Sequence, residues 1–397
     1  MTERIYYTDA YARGFEAAVL ERGDGGRRVY LNRTAFYPTS GGQQHDTGRL
    51  GGVAVVDVVE DGVRIAHLLA EPLGGGDRVE GEVDWDRRFD HMQQHTAQHL
   101  LSAVVADLLG FGTVSVHFGA DASTLDLDTE AIAPGQLEQA EIRANEIVWE
   151  QRPVTVSFED ASAAAGLRKP TERTGSIRVV SIAGLDRSAC GGTHVRSTGE
   201  IGPVLIRGIE RVRKALRLEF VAGGRAVRAA RTDHDLLARL AAQCSAAPAD
   251  LPAIVESQRA ELKAAGAARR ESEEMLARYR ARELYDAASP DPGGVRRALV
   301  RDVPALAPAR ALGQAFAALP RAVLVAAVSA PPAVLVAASV DSGVDAAASL
   351  KTALATAGGR GGGSPRLAQG TVADPAGLER VVTALTASGP GAVHSGG

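Results

Sequence analysis

Three histidines stand within nine residues of the stretch HMQQHTAQHLL: His91, His95 and His99. If the stretch is helical, the four-residue steps put neighbouring imidazoles on one face, about 6 Å apart along the axis. Adjacent members can grip one metal ion, whereas the outer two, about 12 Å apart, cannot. The whole chain has nine His, so this density points to ligation rather than to a solvated polar face. The same spacing returns far downstream in ACGGTHV, as Cys190 and His194. There the paired glycines argue for a tight turn presenting thiolate and imidazole together. One sulfur with two or more ring nitrogens suits a borderline-soft ion, and Zn2+ fits best. His95, His99, Cys190 and His194 are therefore the candidate ligands, and His91 extends the face without joining them. The stretch is not an HExxH protease site, because no carboxylate follows His95.

A third stretch, FYPTSGGQQHDTG from Phe36 to Gly48, reads as a loop yet carries many hydrogen-bonding side chains. Such side chains can stabilise the turn itself, Thr39 among them. His117, in the alternating segment TVSVHFGA, faces opposite to its Val neighbours and suits either a site or a polar surface.

The elements that must position these residues follow from periodicity. Residues 1 to about 85 alternate short strands with glycine turns, Asp61-Gly62 among them, and read as a small β-barrel-like N-terminal unit. From 86 to 110 the apolar period becomes helical. A strand pair, a helix near 134–151 and further strands to about Phe220 complete an α+β domain over 86–222. Residues 223–290, rich in Ala, Arg and Glu, read as a helical connector of two helices, broken at Ala247-Pro248, with Asp250 as N-cap of the second. A small α/β C-terminal domain follows over 291–397. In it AVLVAAVSAPPAVLVAASV is split by Pro331-Pro332 into two strands.

A net charge of -4 gives no global pull on polyanions, so nucleic-acid binding would rest on local basic patches. Arg207, Arg211, Arg213, Lys214 and Arg217 gather in one expected strand pair, and Arg168-Lys169 precedes the Cys190 turn. Such groups would set affinity for phosphates rather than base preference. Two cysteines exclude a disulfide framework. MTERIYYTDA is not expected to be a signal peptide and no segment is long enough to span a membrane. A cytoplasmic protein is expected.

HTAQHLLSA with CGGTHV, preceded by FYPTSGGQQHDTG, resembles the editing domain of alanyl-tRNA synthetases and their free-standing relatives, the AlaX alanyl-tRNA editing proteins. The resemblance covers about residues 1 to 222. GGRGGGSPRLAQG, with Gly361, Gly362 and Gly363, resembles the glycine motif of the synthetase C-terminal domain. Together they imply the long AlaX form, a zinc-dependent deacylase acting on tRNA(Ala) mischarged with Ser or Gly. They also imply a C-terminal region that binds the tRNA body and can form a homodimer. In this family the glycine-rich loop lines the pocket for the misattached amino acid, which makes Thr39 the first candidate to read a seryl hydroxyl and Gln43 the second. Because the resemblance starts at the editing domain, a complete synthetase is not expected. Two alternatives stay open: a non-catalytic tRNA-binding protein with structural zinc, and editing of another tRNA as in threonyl-tRNA synthetase. Four protein ligands would also close the metal site, leaving open whether the ion activates water or only positions substrate.

Overall fold

The computed structural model describes residues 1–387 and the backbone of 393–395. Two compact units emerge, Met1–Leu240 and Ala241–Gly397. The expected helical connector is thus divided: most of the helix Gly224–Gln243 lies in the first unit, and the helix Leu251–Ala287 lies in the second.

The first unit begins with a ring of six antiparallel strands, Gly14–Gly23, Arg28–Leu31, Arg64–Leu69, Val53–Asp61, Gly48–Leu50 and Arg78–Val83, the last pairing with the first. Alternation in Arg78–Val83 puts Val79, Gly81 and Val83 inward and Arg78, Glu80 and Glu82 outward, as period-two patterning requires. The turn expected at Asp61-Gly62 sits one residue later: Asp61 pairs with Arg64, so Gly62 and Val63 form the loop, with Gly62 at φ 60°.

The histidine helix, Trp85–Leu109, leaves this ring directly. Asp84 caps it by accepting the Arg87 amide at 3.3 Å, and Gly110 ends it in a left-handed conformation at φ 75°. Its apolar side chains Met92, Leu100, Leu101, Val104 and Val105 are fully enclosed. Around them lie Leu125, Leu218 and Phe220 of a four-stranded sheet, Ile147 of the helix Gln136–Trp149, and Val180 and Ile182 of a three-stranded sheet. Burial on every side makes this helix the rigid axis of the unit.

In the second unit a six-stranded mixed sheet runs in the order Arg360–Ser364, Leu367–Thr371, Ala333–Ala338, Ala322–Val328, Arg296–Val303, Val393–Ser395. The two Pro-separated strands pair antiparallel as expected, Val328 opposite Ala333, and every residue in both is buried. The long helix has 37 residues. Asp250 does not cap it by its side chain: a tight turn, Pro248–Asp250, leads in, and Asp250 itself has helical angles, φ -87° and ψ -14°. A capping residue needs an extended backbone to fold its side chain over the first amides. The glycine motif forms the exposed edge strand. A Cβ on Gly361 would come within 2.6 Å of Gln369 O, and one on Gly363 within 2.3 Å of Leu367 O, whereas Gly362 faces open space. Two of the three glycines are thus required by the close approach of the neighbouring strand.

Candidate metal centre and cleft

The histidine helix and the CGGTH turn bring four side chains to one point. One ligand atom each from His95, His99, Cys190 and His194 lies within 4.8 Å of all the others. Cys190 Sγ is 3.3 Å from His95 Nε2 and 3.3 Å from His194 Nε2. The turn can come this close because Gly192 has no side chain: a Cβ there would sit 2.1 Å from the His95 ring. Arg178, on the strand Ser176–Ile182, pins the turn from behind by donating to Cys190 O at 2.7 Å and Gly192 O at 2.9 Å.

Each imidazole is oriented through its Nδ1. His95 Nδ1 donates to Gln43 Oε1 at 2.8 Å, His99 Nδ1 to Asp186 Oδ2 at 2.8 Å, and His194 Nδ1 to Thr96 Oγ1 at 3.1 Å. Thr96 spends its own proton on Met92 O at 2.8 Å, so towards His194 it can only accept. Protons held at Nδ1 leave the Nε2 lone pairs free for a metal, the arrangement in which outer partners fix ligand tautomers. Three nitrogens and a sulfur fit zinc in number and softness.

The electrostatics agree. Burial would raise the Cys190 thiol, but His95 and His194 beside it hold its pKa well below the ordinary value. Burial would lower His99, yet Asp186 and the Cys190 sulfur push it up to about 9. Burial, then repulsion from His95, takes His194 down to about 3. The chain alone therefore favours a thiolate beside a protonated His99, and metal uptake must release that proton.

The cluster forms one wall of a cleft of about 630 Å³. Its lining also includes Tyr7, Tyr37, Ser40 and Gly41, the segment Thr113 to Val116, and Arg168, Lys169 and Arg173. Its one lining carboxylate, Glu60, is engaged by Arg4 at 2.7 Å.

The other sequence candidates divide. Gln43 is buried and both ends of its amide are engaged: besides His95 it accepts the Thr193 amide at 3.1 Å and donates to Thr193 Oγ1 at 2.8 Å. It braces a ligand instead of facing the cleft. Thr39 is exposed and outside the cleft lining; its hydroxyl meets His45 Nδ1 at 3.1 Å and the His45 amide at 3.1 Å, the turn-stabilising alternative. Its neighbours Ser40 and Gly41 line the cleft in its place. Arg168 and Lys169 do reach the cleft. Arg207 pairs with Asp233, Arg217 with Asp126 at 2.7 Å, and Arg211 donates to Glu130 O at 2.9 Å. Arg213 and Lys214 form the exposed turn between Val204–Val212 and Ala215–Ala222, Arg213 at φ 57°. None of these five lines the cleft. His117 is exposed and also outside it, and His91 is buried away from the cluster, bordering a separate cavity.

Sequence reasoning missed Arg178, Asp186, Thr96 and Gln98. Thr96 and Gln98 sit inside the histidine motif and were legible by helical position. Gln98 lines the cleft, its amide nitrogen tied to Ser102 Oγ at 2.9 Å and its carbonyl oxygen without a partner among the described residues. Asp186 and Arg178 belong to strands whose pairing alone brings them to the cluster.

Residues 177–218, which hold the Cys190 turn, match the threonyl and alanyl tRNA synthetase second additional domain. The chain is 36% identical over 217 residues to the alanyl-tRNA editing protein Aarsd1 of Danio rerio, covering 53% of each chain. It is also 35% identical over 399 residues to an alanine–tRNA ligase of Methanoculleus marisnigri, 96% of this chain and 42% of the ligase. A Methanoregula boonei alanine–tRNA ligase is 32% identical over 412 residues, 97% and 44% of the two chains. The chain thus spans about half the length of the curated relatives it matches. These likenesses make the chain a homologue, over about half of their length, of alanyl-tRNA editing proteins and of alanine–tRNA ligases, with Cys190 and His194 of the cluster inside the matched domain.

Proposed function

We propose that this protein is a trans-editing deacylase that hydrolyses the ester of mischarged tRNA(Ala), Ser-tRNA(Ala) first and Gly-tRNA(Ala) second. The observation that carries the reading is the position of the cluster: Cys190, His95 and His99 line a cleft that is also lined by Lys169 and Arg173. Cations on the cleft wall suit the phosphates of an RNA end. The relatives' names support tRNA(Ala) as the RNA.

His95, His99, Cys190 and His194 would hold one zinc, which when bound supplies Lewis acidity towards the ester carbonyl. The chain's own part is to fix three imidazoles through Gln43, Asp186 and Thr96, and to keep the Cys190 sulfur as thiolate. Glu60 is taken by Arg4, so no free carboxylate on the cleft wall is placed to act as general base. Water adds to the ester carbon, the 3′ oxygen of the tRNA leaves with a proton, and serine departs.

Discrimination needs a polar group that meets the seryl hydroxyl, since a site built for that hydroxyl penalises the analogue lacking it. The free carbonyl oxygen of Gln98 and the Ser40 side chain supply such groups in the cleft, and Thr39 remains outside it. On this reading the protein works in the cytoplasm, and no helix among the described residues is long and apolar enough to cross a membrane.

Incubation of zinc-loaded protein with Ser-tRNA(Ala) and Ala-tRNA(Ala) tests the proposal, with selective release of serine expected. Tight binding of tRNA(Ala) without release from either would favour a binding module with a structural ion.

A further inference from the structure

His99 is held through side chains that lead out to the cleft wall. Asp186, whose side chain has no exposed surface, accepts His99 Nδ1 on Oδ2 at 2.8 Å and Arg168 Nε on Oδ1 at 2.7 Å. The Ser188 hydroxyl closes the triangle, 3.0 Å and 3.1 Å from the two Asp186 oxygens and accepting Arg168 Nη2 at 3.2 Å. Burial would raise the Asp186 carboxyl, but His99 and Arg168 hold it below its usual range.

Arg168 belongs to the connection 161–175, which joins the strands Val154–Asp160 and Ser176–Ile182 and contains neither helix nor strand. The base of the connection is closed by the Ala161 amide donating to Gly175 O at 2.8 Å. From 165 to 174, every described hydrogen bond to the rest of the unit starts at Arg168: the two side-chain bonds above, and its amide to Arg187 O at 2.8 Å. The same segment puts Lys169, Thr171 and Arg173 on the cleft wall.

We infer that Arg168 is a positioning residue that couples the docking of the 161–175 strap over the cleft to the loading of the metal cluster. The coupling runs through one buried carboxylate that cannot serve His99 well without its second cation. An ion that fixes His99 fixes Asp186, and so favours the docked strap. By reciprocity, a docked strap raises affinity for the ion. Arg168 thus acts on the metal ligand through Asp186, in place of the direct phosphate contact its position in the sequence suggests. The inference rests on the cluster as a zinc site and is independent of which aminoacyl-tRNA is hydrolysed.

The test uses the full chain with two readouts other than activity: zinc affinity by chelator competition, and limited trypsin digestion followed by mass spectrometry. Lys169 precedes a proline and resists trypsin, and cleavage after Arg168 is lost in a variant at that position, so the mass-resolved cut after Arg173 is the one compared between chains. In the wild-type chain, zinc should slow cleavage after Arg173 by about fivefold or more, the size of coupling common between linked sites. Arg168→Gln should lower zinc affinity roughly 10-fold, at the lower end for loss of an outer partner, and abolish the protection. Ser188→Ala, which changes no charge, should shift both readouts in the same direction by less. Zinc affinity within twofold of wild type in Arg168→Gln, or wild-type cleavage that ignores zinc, would overturn the inference. Absence of Ser-tRNA(Ala) hydrolysis by an otherwise zinc-responsive protein would instead overturn only the function proposed above.

Discussion

The two units of this chain bury different chemistry. The second is aliphatic inside: its central strands are Val, Ala and Leu, and among the described residues it buries only Ser339 and Ser342 of the polar kinds. The first buries Arg88, Asp46, His67, Gln43, Asp186, Arg178 and the three histidines of the metal cluster. Polar burial is costly unless each group finds its partner, and here each named group has partners at hydrogen-bond distance. The difference teaches where function resides. One unit is held by packing that tolerates like-for-like exchange, the other by a network in which each member holds the next.

The strongest test of this contrast is the pair Arg88 and Asp46, both fully enclosed. Arg88 donates to Asp46, to Ala10 O at 2.8 Å and to Ala35 O at 2.5 Å, and so ties the 36–48 loop to the histidine helix. Arg88→Met leaves a buried carboxylate without its cation and should cost about 3–5 kcal/mol in denaturant unfolding. Leu350→Ala in the second unit should cost about 2–5 kcal/mol through the cavity it opens, with zinc content untouched.

Next comes the cluster itself. Cys190→Ala removes the one sulfur among the four donors. Zinc should fall well below one equivalent by elemental analysis, and hydrolysis by about 100-fold or more. Residues 1–240 alone should keep zinc and kcat, with KM for tRNA raised. Loss of kcat in that fragment while it stays folded and zinc-loaded would place chemistry in the second unit and end the comparison.

Acid should weaken the first unit selectively. Burial lowers His67 from 6.5 to about 4, against the hydrogen bond to Val29 O. A histidine kept neutral in the fold stabilises fully above 6.5. As pH falls from there to about 4, the unfolded chain takes up a proton that the folded chain refuses, and stability is lost. At 1.36 kcal/mol per unit, the shift amounts to about 3 kcal/mol. His91, lowered to about 4 by burial and by Arg87, adds loss in the same window. The second unit has no histidine apart from His394, outside the described side chains. Denaturant midpoints measured from pH 7 to 4 should fall for residues 1–240, and more gently with His67→Gln.

The smallest effects concern selectivity. Gln98→Leu should reduce seryl over alanyl hydrolysis about threefold to tenfold, the loss of one net hydrogen bond of about 0.5–1.5 kcal/mol. Thr39→Val should change that ratio less than about twofold, since its hydroxyl bonds His45. A larger effect of Thr39→Val would return that residue to the cleft.

Much of this was readable from sequence because it is local. The four-residue spacings of His95–His99 and Cys190–His194 set ligand geometry within one helix and one turn, and Pro331-Pro332 separated two strands by chemistry that needs no partner. Helix and strand periods likewise placed the histidine helix within a residue of its observed limits. The reading failed where a residue's role depends on what lies across space. Thr39 and Gln43 share one loop, yet backbone pairing turns one outward to His45 and the other inward to His95 and Thr193. Arg168 sits next to Lys169 and looks like a phosphate contact, but the register of Ser176–Ile182 against Asp186–Ala189 delivers Asp186 to it. Spacing along the chain determines which atoms can share a face. Only folding decides which unpaired donor a buried acceptor will meet, because that choice is made by partners many residues away.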